Sequence, residues 1–250
     1  MHGRSCSLLC VIAGYNRAEM ASAFPEHRAA GTAPLLFPDR AAAGLLLGER
    51  LAGAHFATCP HYPERTVVAA LPRGGVAVGR EVAACLHVPL EVLVTRKIGH
   101  PEEPELGLGA IAEGGDPVFD EEMLDRTGLR PPDLAWVVAS ERAELERRVL
   151  VYRGGRPPPD FAGRCVIVVD DGLATGVTAR AALRAVHASG TGRTTLAVPV
   201  ASSQAVEALE AETDEVVTLV TPRRFRSVGE WYAEFGQLTD ADVLTLLAAS

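Results

Sequence analysis

The chain has 250 residues, 48% of them apolar and 5% aromatic, with a net charge of −8. That length and apolar share suffice for one substantial core, which the scarcity of aromatics leaves Ala, Val and Leu to fill. The acidic balance argues against broad nucleic-acid binding through a basic face, but a small anionic ligand needs only a local positive site.

Residues 1–33 read as a weakly ordered extension ahead of a single domain over 34–250. Within it, residues 6–14 are too short for a signal core, and Leu9 spoils Ser7-Leu8-Leu9-Cys10 as a lipoprotein box. No apolar run approaches the roughly 18 residues that span a membrane. Asp39 is placed to cap a helix from Arg40 to about Ala54, with Leu45, Leu46, Leu47 and Leu51 on its apolar side. The nearby His55, Cys59 and His61 lack a second ligand cluster and are read as a polar loop. Cys6, Cys10, Cys59, Cys85 and Cys165 form no Cys-x-x-Cys pair, so no disulfide framework is expected and a reducing cytoplasm fits.

Thr66–Leu71 predicts a first buried strand, broken by Pro72-Arg73-Gly74-Gly75 before a helix over Val76–Leu86. Leu90–Thr95 predicts a second strand ending at Arg96-Lys97. The Gly-, Pro- and Glu-rich stretch Ile98–Phe119 is long for a loop within a domain and is expected to be a flexible lid, with room for a short hairpin. Its Gly107-Leu108-Gly109-Ala110-Ile111-Ala112 does not directly follow a strand, so a dinucleotide-binding role is rejected. Pro131-Pro132-Asp133 starts a charged helix to about Tyr152. Then follow a strand (Cys165–Val169), a helix (Ala179–Ala188), a strand (Thr194–Val200), a helix (Ser203–Ala211) and a strand (Glu215–Val220). Alternating buried strands and helices predict an α/β fold, a parallel sheet flanked by helices. Such sheets bind ligands at the carboxyl ends of their strands. Three loops of chemical interest fall there: Arg73-Gly74-Gly75, Arg96-Lys97 and Asp170–Thr178.

The last of these is the most informative. Val166-Ile167-Val168-Val169 runs straight into Asp170 and Asp171. The loop Gly172-Leu173-Ala174-Thr175-Gly176-Val177-Thr178 then leads into a helix. Gly172 and Gly176 allow backbone shapes closed to other residues, and the small Ala174 lets a ligand approach. Successive N–H groups before a helix form a nest for phosphate, with the Thr175 and Thr178 hydroxyls as added donors. The two carboxylates suit sugar hydroxyls, or a Mg²⁺ held partly through water. No lysine follows Gly176, so this is not a P-loop.

This stretch resembles the 5-phosphoribosyl-1-pyrophosphate (PRPP) motif of type I phosphoribosyltransferases, in the Asp-Asp-x-Leu-Ala-Thr-Gly form common in adenine-type enzymes. The strand order from residue 66 to 220 is similar to that fold as well. The resemblance implies that Asp170 and Asp171 hold the ribose 2′- and 3′-hydroxyls, with an indirect hold on Mg²⁺. It implies that Ala174, Thr175, Gly176, Val177 and Thr178 hold the 5′-phosphate, with Gly172 opening that loop. Leu71-Pro72-Arg73-Gly74-Gly75 would be the pyrophosphate loop, with a strained or cis peptide around Arg73-Gly74. Lys97 would reach the pyrophosphate and Arg96 is a second candidate; a surface pair capping a strand end is the alternative. Arg73 and Lys97 would then stabilise the leaving group.

The resemblance further implies a lid over Ile98–Phe119 carrying His100, which gains no role, and a small C-terminal hood. There Phe225, Trp231 or Tyr232 could stack on an acceptor, although packing on the core is the simpler account of at least two of them. The implied function is Mg²⁺-dependent transfer of 5-phosphoribosyl from PRPP to a nitrogenous base or related acceptor, with release of pyrophosphate. The implied protein is a cytoplasmic homo-oligomer, a dimer, with neither nucleic acid nor membrane as partner. The alternative is a PRPP-binding regulator of the same fold, a reading weakened by the acidic charge and the lack of a helix-turn-helix segment. No segment matches a recognition signature for one acceptor.

Overall fold

The computed structural model describes residues 37–58 and 63–249. The expected extension over 1–33, and Cys6, Cys10, Cys59 and His61, lie outside the described residues. Asp39 caps the first helix, α1 (Arg40–Thr58), its Oδ1 accepting the Ala42 N–H at 2.8 Å. β1 (Thr66–Ala70) follows; Pro72 cannot donate to a ladder, and α2 (Gly74–Leu86) starts two residues before the expected Val76.

The predicted strand Leu90–Thr95 is a correction: it divides into β2 (Leu90–Val92) and β3 (Thr95–Gly99), which belong to different sheets. The cause lies in its partner. β1 ends at Ala70, whose carbonyl takes the Leu93 N–H as a last rung, and the Val94 carbonyl already accepts the N–H of Glu113, the residue that follows a strand of the other sheet. The stretch Ile98–Phe119 contains the antiparallel hairpin it had room for, but it is not chiefly a loop. Most of it forms an antiparallel sheet of β3, β4 (Gly107–Ala112) and β5 (Val118–Phe119), in which Leu108, Ala110, Ile111 and Ala112 are buried. These alternating small and branched apolar residues pack both ways, which leaves residues 100–106 and 113–117 as loops. The segment set aside as a dinucleotide motif is β4.

Two helices went unanticipated. α3 (Glu121–Thr127) is capped by Asp120, whose Oδ1 accepts the Met123 N–H. After a 3₁₀ turn (Pro131–Leu134), α4 (Ala135–Arg153) takes the place of the predicted charged helix. β6 (Cys165–Val169), α5 (Val177–Ala188), β7 (Arg193–Val200), α6 (Ser203–Leu209) and β8 (Glu215–Val220) follow as expected within two residues. A second 3₁₀ turn (Val228–Trp231) precedes α7 (Asp240–Ala248), the other unexpected helix, which opens with a capping box between Thr239 and Asp242.

The main sheet is parallel throughout, in the order β2-β1-β6-β7-β8, with Ala70 opposite Val169 and Val169 opposite Ala197. Its strands are continuous apolar runs because both faces are covered. Val67, Ala69, Val166, Val168, Leu196 and Val198 share a core with Leu183, Val186 and Leu209 of α5 and α6. Val68, Ile167, Val169 and Ala197 share another with Leu47, Leu51, Val78, Val82 and Leu86 of α1 and α2. The small sheet lies beyond this sandwich. Ile98, Leu108 and Ile111 pack with Val137, Leu145 and Tyr152 of α4 and Val243 of α7.

The absence of disulfides is overturned: Cys85 and Cys165 are both disulfide-bonded. Spacing along the chain says nothing about which thiols folding brings within bonding range. Among the described residues, no helix is long and apolar enough to cross a membrane.

Candidate functional site

β1 and β6 are neighbours, so the loops after them leave the same edge of the sheet. They meet there. A Cβ built on Gly75 would fall 2.7 Å from the Val169 carbonyl oxygen and 2.9 Å from Asp170 Cα. On Gly74 it would fall 1.8 Å from Asp171 Oδ2. No side chain fits at either position, and the glycine pair is thus a floor beneath the two acids. The loop carries a cis non-proline peptide at Pro72–Arg73, one bond earlier than expected.

Each acid spends one oxygen on the protein. Asp170 Oδ1 accepts the Asp171 N–H at 2.8 Å, and Asp171 Oδ2 accepts Arg40 Nε at 2.8 Å. Among the described residues, no side chain donates to Asp170 Oδ2 or Asp171 Oδ1. Burial holds the Asp170 carboxyl well above the usual carboxylate range, and the neighbouring Asp171 charge adds to it. Burial also raises Asp171, with the Arg40 guanidinium opposing the shift.

Arg40 was missed in the sequence. It lies in the first turn of α1, where a cation opposes the helix dipole, and that local mismatch was the available signal. Its guanidinium also donates to the Gly236 carbonyl at 2.9 Å and sits 3.9 Å from the centre of the Phe235 ring. Phe235 stacks on Tyr232, whose hydroxyl donates to the Asp171 carbonyl at 2.6 Å.

Beyond the acids, the loop is tied down along one side. Leu173 bonds to Val200 and Ser202, and the Ser202 hydroxyl donates to the Ala174 carbonyl while capping α6. Gly172 lies under Val228 of the C-terminal segment, 2.6 Å from where its Cβ would be. Gly176 has φ +75° and starts α5 with no side chain capping the helix. The N–H groups of Ala174, Thr175, Gly176, Val177 and Thr178 meet no acceptor among the described residues. Ala174 and Thr175 are exposed and Thr178 is half-buried, whereas the Val177 side chain is core and leaves only its amide for a ligand.

Arg96 and Lys97 sit in the middle of β3, not at a strand end, and consecutive strand residues face opposite ways. Arg96 is paired with Ile111 and turns to α4, where its Nε meets Glu141 Oε2 at 2.7 Å. Lys97 is paired with Ala110, which clusters with Val177 and Ala181 of α5. Opposed residues of an antiparallel pair share a face. Lys97 is therefore carried on the side of the small sheet that faces the start of α5, its Nζ bonded to the Glu105 carbonyl. Arg73 reaches toward α7, its Nη1 4.0 Å from Asp240 Oδ1. His100 Nδ1 accepts the Glu102 and Glu103 N–H groups and so caps a turn. Trp231 and Tyr232 are buried with Phe37, and Phe225 packs against them. Tyr232 in addition holds the Asp171 carbonyl through its hydroxyl.

A family model described as a phosphoribosyl transferase domain matches residues 43–227. Two Mycobacterium tuberculosis proteins, from strains CDC 1551 / Oshkosh and ATCC 25618 / H37Rv, are each named "Putative phosphoribosyl transferase". Both are 41% identical over 212 residues, a match that covers 85% of this chain and 46% of each relative. The chain thus spans about half the length of the curated relatives it matches. The crystal structure of TT1426 from Thermus thermophilus is similar with a TM-score of 0.70 at 42% identity, covering 86% of this chain and 99% of that one.

Proposed function

Since the chain belongs to the phosphoribosyl transferase domain family, we propose that it transfers 5-phosphoribosyl from PRPP to a nitrogenous base or related acceptor, releasing pyrophosphate. The observation that carries this reading is the contact between the Gly74-Gly75 loop and the acids Asp170 and Asp171, nearly a hundred residues apart in sequence. It puts a candidate pyrophosphate loop beside a candidate ribose site.

In this reading the free oxygens of Asp170 and Asp171 accept the two ribose hydroxyls. The unbonded N–H groups of residues 174–178, aided by the Thr175 and Thr178 hydroxyls, hold the 5′-phosphate at the uncapped start of α5. Lys97 leaves the Glu105 carbonyl to meet the pyrophosphate, and backbone N–H groups of the Gly74-Gly75 loop assist. Arg73 needs a side-chain swing from Asp240 to join them. Arg96, on the opposite face of β3 from Lys97 and paired with Glu141, is given no ligand contact in this reading. No general base is assigned; the chain's contribution is positioning and stabilisation of charge on the leaving group.

Among the described residues no group of three or more His, Cys, Asp or Glu could hold a metal. The two acids, one open oxygen each, fit Mg²⁺ only as an ion that completes its shell with water and ligand phosphates. When bound it would neutralise charge developing on the pyrophosphate.

The test is to incubate the protein with PRPP, Mg²⁺ and a panel of bases and to follow pyrophosphate release. Release dependent on one base is expected. Tight PRPP binding with no release on any base would replace the transferase with a PRPP-binding regulator.

A further inference from the structure

The acid pair would be ambiguous without its neighbours. Two adjacent carboxylates carry four oxygens, and freely turning side chains could take a metal, an amine or a single hydroxyl as readily as a diol. Here three contacts remove that freedom. The Asp171 N–H claims Asp170 Oδ1, and Arg40 Nε claims Asp171 Oδ2. The missing side chain of Gly74 leaves the space into which Oδ2 turns, 1.8 Å from a built Cβ. Arg40 is itself held from two further sides, by the Gly236 carbonyl and the Phe235 ring, and only 11% of its side chain is exposed. What is left is one unclaimed oxygen on each of two consecutive residues, a pattern matched by two hydroxyls on adjacent carbons.

We propose that Arg40 is a positioning residue that makes the acid pair selective for a vicinal diol, by fixing Asp171 so that each acid offers one oxygen to one hydroxyl. This rests on the phosphoribosyl reading above and adds to it a residue outside every loop named from the sequence. Arg40 touches no ligand; it acts through Asp171. The Phe235–Tyr232 stack behind it and the Tyr232 hydroxyl on the Asp171 carbonyl close a ring, so the C-terminal segment takes part in setting the carboxylate.

The probes are ribose 5-phosphate and its 2-deoxy and 3-deoxy analogues, titrated calorimetrically into the full chain. Hydrogen bonds to charged acceptors predict that the wild type binds ribose 5-phosphate at least about tenfold more tightly than either analogue. Arg40→Gln should compress both ratios below about threefold, and Arg40→Lys, which keeps a cation on Oδ2, should restore them. A purely structural Arg40 would instead weaken all three sugars by one factor, and that result overturns the proposal. So does a wild type in which one of the two deoxy positions costs nothing, a measurement that stands even if Arg40→Gln does not fold. Failure of the wild type to bind PRPP or any of the sugar phosphates overturns the phosphoribosyl reading itself. Ordinary binding with unchanged ratios in a folded Arg40→Gln overturns only the role of Arg40.

Discussion

Gly74→Ala is the sharpest test of the meeting between the two loops. The new methyl carbon would start 1.8 Å from Asp171 Oδ2, 2.6 Å from its Cγ and 2.9 Å from Arg40 Nε. Ordinary carbon contacts lie near 3.5 Å, so the carboxylate must retreat by about 1.5 Å. It cannot do so and keep its 2.8 Å bond to Arg40. Overpacking costs about 1–3 kcal/mol, and a lost hydrogen bond between charged groups about 1.5–3 kcal/mol. Together these predict a loss of about 2.5–6 kcal/mol, or a fall in melting temperature on the order of 5–24 °C for a chain of this size. Thermal melts with and without PRPP measure both stability and ligand rescue. Gly53→Ala is the control: it is a helical, exposed position with nothing within 4 Å of a built Cβ, and should gain about 0.5–1 kcal/mol. If Gly74→Ala melts with the wild type and binds PRPP unchanged, the glycine loop does not lie against the acids and the site as described is wrong.

Asp170→Asn keeps the Oδ1 acceptor for the Asp171 N–H while removing a charge that burial and Asp171 oppose. It should melt higher at pH 7.5 yet bind PRPP at least about tenfold more weakly; a parallel fall in stability would contradict the raised Asp170 carboxyl. Lys97→Gln should cut pyrophosphate release by about 100-fold with little change in melting, whereas Arg96→Gln should cost about 1 kcal/mol of stability through its bond to Glu141 and spare PRPP binding. The reverse pattern would exchange the two assignments. Burial, and then the bond to Asp240, push the Tyr152 hydroxyl up to about 12, against about 10 when unfolded. Its contribution is complete below pH 10 and lost as pH rises toward 12. Denaturation midpoints between pH 9 and 11.5 should therefore fall more steeply for the wild type than for Tyr152→Phe, and equal slopes would refute the assignment.

The main sheet was legible because its strands carry an unusually plain signal. Runs such as Val166–Val169 are apolar at every position, which only a strand covered on both faces tolerates. The acid pair and its loop were legible for the same reason, as polar and small residues placed directly after such a run. The small sheet was not. Its strand β4 is Gly107-Leu108-Gly109-Ala110-Ile111-Ala112, and the glycines and the Pro residues nearby imitate a loop. Only packing against α4 on one side and α5 on the other makes the segment a strand. The Leu90–Thr95 boundary failed because nothing local marks where β1 stops offering partners. Helices α3 and α7 could have been found, since Asp120 and Thr239 are good caps followed by acids in the first turn. Arg40 could not be assigned, because its partner Asp171 is 131 residues away and only the fold brings them together.

The pairing of Ala70 with Val169 has a consequence for how such a chain can change over time. Both loops spring from the same rung of one ladder, so their relative height is fixed by hydrogen bonds between β1 and β6 and not by the stretch of chain that joins them. Residues can be inserted or lost in the connections between Leu86 and Cys165, such as 100–106, 113–117 and 154–164, without shifting one loop against the other. A single residue added inside either strand would turn its side chains over and slide one loop past its partner. Length variation among relatives of this chain should therefore collect in the connections and spare these two short strands.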